Sequence, residues 1–269
     1  MTSTHQPLAG KVALVTGSAA GMGRAYAHHL AKLGADIVIA DINLESGKGW
    51  GEVEESVEAE IRAIGRSAVS VQGDLSTRDA AKAAVGAAID SFGRLDILVN
   101  NAGGAITPPE RSTLTQSPDE DTKKLMDANF YSTFYMCQEA APVITKPGGS
   151  IINIATFGLF GSKNGSYAIY VAAKAAVVSM TESLAVELGP DGVRVNAVAP
   201  GLIRTGRVIA TAKARGIGTG DQDEKVPLRR LGTPDDMVGA IEFFATDLSR
   251  YVTGELLSVD GGAHRVSAI

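Results

Sequence analysis

Short apolar runs alternate with helical patterns along most of the chain, and this alternation restricts the possible folds more than any other feature. Strands are predicted over 11–16, 36–40, 67–72, 95–99, 149–154, 193–198 and 256–259. Runs such as Val12-Ala13-Leu14-Val15 have no polar face, as expected of strands buried on both sides. Helices are predicted over 22–33, 44–64, 78–92, 118–142, 168–188 and 234–246. Ser117-Pro118-Asp119-Glu120 reads as a helix start, with a serine cap, proline at the first helical position and glutamate three residues on. Strands alternating with helices imply right-handed crossovers and a parallel sheet covered on both faces.

With 269 residues, 45% of them hydrophobic, the chain can bury a sizeable core. No repeat, low-complexity tract or linker divides it, so residues 1–269 are expected to form one α/β domain. The least regular stretch, 201–232, contains Gly206, Gly216, Gly218 and Gly220 and is read as a substrate loop. A net charge of −5 gives no electrostatic reason to expect nucleic acid. The lone cysteine, Cys137, excludes an internal disulfide, fits a reducing compartment and reads as a small buried hydrophobe. The first eleven residues carry no apolar signal core, and no apolar run approaches the roughly 20 residues of a membrane span. A cytoplasmic protein with no membrane partner and no bound metal is expected.

The first strand runs into Thr16-Gly17-Ser18-Ala19-Ala20-Gly21-Met22-Gly23. Glycines at 17, 21 and 23, between a strand and a helix, let the backbone turn tightly and approach a pyrophosphate. The helix that follows offers unpaired N–H groups and a positive dipole end. A lone glycine-rich turn would carry little weight. Here, however, the second strand ends at Asp41, near the roughly 20-residue spacing of an acid that binds adenosine ribose hydroxyls. The alternative for Asp41 is a solvated turn acid or a helix cap. Asp41 would repel a 2′-phosphate, and no arginine or lysine lies between Gly17 and Gly23, so NAD is expected rather than NADP. The fold is then a Rossmann-type doubly wound parallel sheet of about seven strands with helices on both faces.

Far downstream, Tyr170-Val171-Ala172-Ala173-Lys174 lies in a helical pattern, so the phenol and the ammonium share one helix face. A tyrosine titrates near 10, too high for easy proton exchange at neutral pH, and a neighbouring cation favours its phenolate. Tyr-x-x-x-Lys alone is common; its weight comes from following the fifth predicted strand in a chain that already has a phosphate cradle.

These motifs, taken in order, resemble those of the short-chain dehydrogenase/reductase (SDR) family in its classical branch, over about residues 8–262. They run from Thr16-Gly17 through Gly21-Met22-Gly23, Asp74-Leu75, Asn100-Asn101-Ala102-Gly103, Asn129 and Tyr170 to Lys174, then Pro200-Gly201, Thr205 and Asp260-Gly261-Gly262. The resemblance implies that Asp74 bonds at the adenine and Leu75 lines its pocket. It implies that Asn101, Ala102 and Gly103 line the adenosine side of the cleft, and that Ile203 and Thr205 face the nicotinamide. Tyr170 would be the general acid/base, with Asn129 helping to hold a water that relays protons to Lys174. A homotetramer built on 118–142 and 168–188 is also implied. Asn129 satisfied by backbone, and Asp260-Gly261-Gly262 as a structural turn, are the plainer readings of those residues.

The family places a serine about 13 residues before the tyrosine, but position 157 is Phe157. In Asn153-Ile154-Ala155-Thr156-Phe157-Gly158, aligning the glycines puts Ala155 in the serine slot, and one extra residue puts Thr156 there. Chemistry favours Thr156, because a hydroxyl can donate to a developing oxyanion; the alternative is a site with no such hydroxyl, or one that borrows it from Ser162 or Ser166. The expected function is NAD-dependent interconversion of a secondary alcohol and a ketone. A weakly catalytic NAD-binding sensor or scaffold is the alternative. Phe157, Leu159 and Phe160 would wall an apolar substrate pocket. Arg204, Arg207, Lys213 and Arg215 could meet an acidic substrate, though a solvated loop face is preferred. His28 and His29 read as surface or packing residues, and Trp50 carries no functional signal.

Overall fold

The computed structural model describes residues 6–161, 165–212 and 222–266. Seven strands form one all-parallel sheet: β1 (Val12–Thr16), β2 (Asp36–Asp41), β3 (Ala68–Gln72), β4 (Ile97–Asn100), β5 (Ser150–Ile154), β6 (Arg194–Pro200) and β7 (Leu256–Val259). Their order is β3-β2-β1-β4-β5-β6-β7, so the direction of winding reverses between β1 and β4. Register there pairs Ala13 with Ile97 and Val15 with Val99. A crevice opens at the carboxyl ends of strands at such a reversal, and that is where ligands of open α/β sheets bind.

Alternation along the strands decides what each face packs. Ala13, Val15, Ile37 and Ile39 join one cluster, with Tyr26 and Leu30 of α1 (Gly21–Lys32). Val12, Leu14, Val38 and Ala40 join the other, with Val85 and Met136. The remaining helices are α2 (Ser46–Gly49), α3 (Val57–Ala63), α4 (Arg78–Phe92), α5 (Asp119–Met126), α6 (Ser132–Ala140), α7 (Ala168–Leu188), α8 (Gly206–Ala210), α9 (Gln222–Lys225), α10 (Pro234–Ala245) and α11 (Ala263–Val266). Phe244 of α10 is buried with the first cluster, and Val85 and Ala88 of α4 with the second, so both sheet faces are covered.

Three local expectations are corrected. The helix predicted over 44–64 is broken into α2 and α3, because Gly51 turns left-handed at φ +69 and the chain swings toward the crevice. The helix predicted over 118–142 is interrupted by a π-turn at Asp127–Tyr131. Its start differs too: Pro118 is the extended cap residue, and the Ser117 hydroxyl pairs with that of Thr122 at 3.3 Å instead of capping. Finally, 201–232 is less irregular than expected. It contains α8 and α9, and Ile203 bridges to Gly232.

Candidate active site

A cavity of about 810 Å³ opens at the β1–β4 reversal. One wall is the turn after β1. Gly17 (φ +62) and Gly21 (φ +59) are left-handed, and a Cβ on Gly17 would lie 2.9 Å from the Ala102 Cα. Gly23 is tighter still: a Cβ there would stand 2.1 Å from the Gly17 carbonyl oxygen. Only glycine keeps this turn against the start of α1. The Asn101 amide braces it from below, donating to the carbonyls of Thr16 and Gly17 at 3.0 Å each. The Ala102 N–H donates to the Thr16 hydroxyl at 2.9 Å. Asp41 ends β2 at the cavity edge, accepting from the Ala19 N–H at 3.0 Å and the Asn43 N–H at 3.1 Å. Burial raises its carboxyl above the ordinary value, while those N–H groups oppose the shift. Asp74 and Leu75, after β3, complete this end of the wall.

The other end is built by β5 and α7. Tyr170, Val171 and Lys174 line the cavity together with Thr156 and Phe157. Lys174 is 2% exposed, and its ammonium donates to the Ile154 carbonyl at 2.7 Å. Burial, and then the Arg207 guanidinium, pull Lys174 down to about 8. Thr156 is 7% exposed, and its hydroxyl oxygen accepts from the Gly158 N–H at 3.3 Å. The hydroxyl proton therefore remains available to another acceptor. Pro200, Gly201, Ile203 and Thr205 close the wall where β6 ends. The glycine cradle, an acid at the end of β2 and a Tyr–Lys pair thus face one crevice, an arrangement with room for a dinucleotide beside a proton-transfer group.

The enoyl-(acyl carrier protein) reductase family model matches residues 17–264. Cyclohexanol dehydrogenase from Rhodococcus sp. (strain TK6) is 43% identical over 264 residues, covering 95% of this chain and 97% of that one. Trans-4-hydroxycyclohexanecarboxylate dehydrogenase from Sinomonas cyclohexanicum is 37% identical over 97% of this chain and 96% of its own. A crystal structure of a short-chain type dehydrogenase/reductase from Mycobacterium marinum superposes with a TM-score of 0.84 at 30% identity, covering 96% of this chain and 97% of that one. The chain belongs to the short-chain dehydrogenase/reductase family. It is accordingly an oxidoreductase of the SDR kind, using a nicotinamide cofactor. The cradle fits such a group, because Gly17 and Gly21 put backbone with no side chain on the cavity wall at the start of α1.

Within this SDR site, two of the expected residues stand behind the wall. Gly23 supports the turn, and Asn129, fully buried in the π-turn, grips the loop after β4. The Asn129 amide oxygen accepts from the Gly104 N–H at 2.7 Å, and its nitrogen donates to the Gly104 and Leu125 carbonyls at 3.0 Å. The side chain is thus satisfied by backbone. A Cβ on Gly103 would lie 2.5 Å from the Asn129 amide oxygen, which explains glycine there. Of the three expected apolar walls only Phe157 lines the cavity; Phe160 is exposed and packs its ring on His264 at 4.7 Å. Arg207 is corrected in the other direction. It is not a solvated loop residue but a cavity residue whose guanidinium donates to the Gly103 carbonyl at 3.3 Å. Arg204 is half exposed and pairs with Asp223. Ser166 lines the cavity; Ser162, Lys213 and Arg215 lie outside the described residues.

Sequence reasoning missed Trp50 and Glu52. Both line the cavity from the turn between α2 and α3, a segment that helical periodicity had absorbed into one long helix. Gly51 between them was the available signal. His28 and His29 lie away from the crevice, paired with Glu60 and Glu242. Cys137 is 2% exposed, and burial pushes its thiol up to about 12, which makes it inert packing.

Proposed function

We propose that this protein is an NAD-dependent dehydrogenase that interconverts a secondary alcohol and a ketone, with Tyr170 as general acid/base. The observation that carries the reading is that Tyr170, Lys174 and Thr156 share one cavity with the glycine cradle. NAD, when bound, supplies the hydride acceptor. Gly17, Gly21 and Met22 would hold its phosphates and Asp41 its adenosine ribose, where a 2′-phosphate would meet a carboxylate. During oxidation the Tyr170 oxygen takes the hydroxyl proton, and during reduction it returns it. The buried Lys174 ammonium favours the phenolate. The Thr156 hydroxyl donates to the substrate oxygen as charge develops there. Asn129 holds the Gly103–Gly104 loop that shapes this end of the cavity.

Two relatives are named for alcohols on a cyclohexane ring. The cavity wall includes the apolar Phe157, Ile106, Val226 and Leu231. A cyclic secondary alcohol with little polarity is therefore the first substrate class to examine. We place the enzyme in the cytoplasm as a homotetramer. Helix α7 supports the assembly: with the turn that follows it, it is long and apolar enough to cross a membrane, yet only 28% of its most apolar stretch is buried within the protomer. That length and composition correct the expectation that no apolar run approaches a membrane span. Lys174 on the same helix sits in the cavity, so the uncovered side awaits protein rather than lipid.

The reading is tested by following NADH formation across a panel of cyclic and acyclic alcohols, with NADP⁺ in parallel. Turnover with NAD⁺ is expected, falling by about 10²–10⁴ in Tyr170→Phe and by about 10²–10³ in Thr156→Ala. Thr156→Ser should retain most of the rate. An undiminished Tyr170→Phe variant would overturn the mechanism, and a preference for NADP⁺ would overturn the Asp41 assignment.

A further inference from the structure

Helix α1 begins without local help. Its cap residue is Ala20, no side chain caps it, and its first turn carries no acid. The N–H groups of that turn are left for a partner from elsewhere. In this structure the partner is Glu52, which follows the left-handed Gly51. The Gly21 N–H donates to Glu52 Oε2 at 2.5 Å. The other carboxylate oxygen, Oε1, accepts from the Gly206 N–H at 2.8 Å. One carboxylate therefore ties the cradle to the first residue of α8, and it does so on the cavity wall. The contact is close: a Cβ on Gly206 would lie 2.7 Å from both Glu52 Oε1 and Trp50 Cβ. The next residue of α8, Arg207, reaches the Gly103 carbonyl across the same cleft.

We propose that the Glu52 carboxylate is a built-in stand-in for the cofactor's pyrophosphate, seated on the cradle and displaced when a dinucleotide binds. The proposal rests on the reading of this crevice as a dinucleotide site. A pyrophosphate takes the N-terminal N–H groups of the helix after the glycine turn, and Gly21 is the first residue of that helix. Two anions cannot share these donors without strong repulsion. The bridge to Gly206 makes the displacement consequential: the same event frees α8, in the segment read as the substrate loop, and the turn bearing Trp50. Cofactor affinity is lowered by the fraction of molecules in which Glu52 is seated, and release of α8 is coupled to cofactor arrival.

Trp50 is the chain's single tryptophan and supplies a built-in reporter. ADP-ribose carries the adenosine and pyrophosphate but no dihydronicotinamide to quench indole emission. It is titrated into the full-length wild type, Glu52→Gln and Glu52→Ala, with affinity measured by calorimetry and Trp50 emission recorded. Glu52→Gln keeps the side-chain shape and guards against a folding defect. The expected result is a saturable emission change in the wild type, about fivefold tighter binding in both variants, and a Glu52→Ala spectrum that starts near the wild type's saturated one. Wild-type binding with equal or weaker binding in the variants would overturn the proposal, leaving Glu52 a helix cap and the dinucleotide reading intact. Failure of all three proteins to bind ADP-ribose would overturn the proposal together with that reading.

Discussion

Lys174 shows how one buried group joins packing to chemistry. At 2% exposure its ammonium has lost its water, and the Ile154 carbonyl and the nearby Arg207 set what remains of its environment. Its affinity for a proton falls from the ordinary 10.5 to about 8, with burial the larger cause. Between those values the unfolded chain binds the proton and the folded one does not. Stability of the protein without added cofactor should therefore rise as pH increases from about 8 to 10, and that rise should be missing from Lys174→Met. Thermal melts across the window check this; a wild-type curve as flat as the variant's would contradict it. That Tyr170 and Lys174 share a helix face was legible four residues apart. The burial that tunes the lysine was not, because it depends on Ile154 and Arg207, which come from β5 and α8.

At the scale of elements, the turn between β1 and α1 is set by excluded volume. A methyl group at 23 would need to pass within 2.1 Å of the Gly17 carbonyl oxygen, and backbone on both sides cannot yield cheaply. Gly23→Ala should weaken NADH binding at least about tenfold and cost roughly 1–3 kcal/mol of stability, as measured by NADH titration and chemical denaturation. Unchanged binding would mean that the turn is not the cradle. The glycines and the strand–helix boundary around them were readable because both are local. Helix α3 was legible only in part: its sequence continues a helical period back through α2, and the local signals for a break are Gly51 and Ser56, whose hydroxyl caps α3 by accepting from the Ala59 N–H at 3.1 Å. The break brings Glu52 to Gly21 and Gly206, contacts that no window of neighbouring residues can register.

For the whole molecule, the uncovered side of α7 carries the next prediction. Ala172, Ala175, Ser179, Ser183 and Val186 are exposed along it, small enough to let another helix approach closely. Light scattering should report a tetramer for the wild type and a smaller species for Ser179→Arg, whose long charged side chain would be forced into the contact. A wild-type monomer would refute the assembly. The sequence by itself determined the sheet, the order of its motifs and the family, because strand burial, glycine turns and helical spacing are properties of adjacent residues. The tertiary structure alone decided that Phe160 stays off the cavity wall, that Arg207 turns inward, and that the Asn129 amide bonds to Gly104. It also decided that Glu52 sits on the cradle. Each of these is a choice of partner made across the crevice, and such a choice exists only after folding has brought distant segments within hydrogen-bonding range.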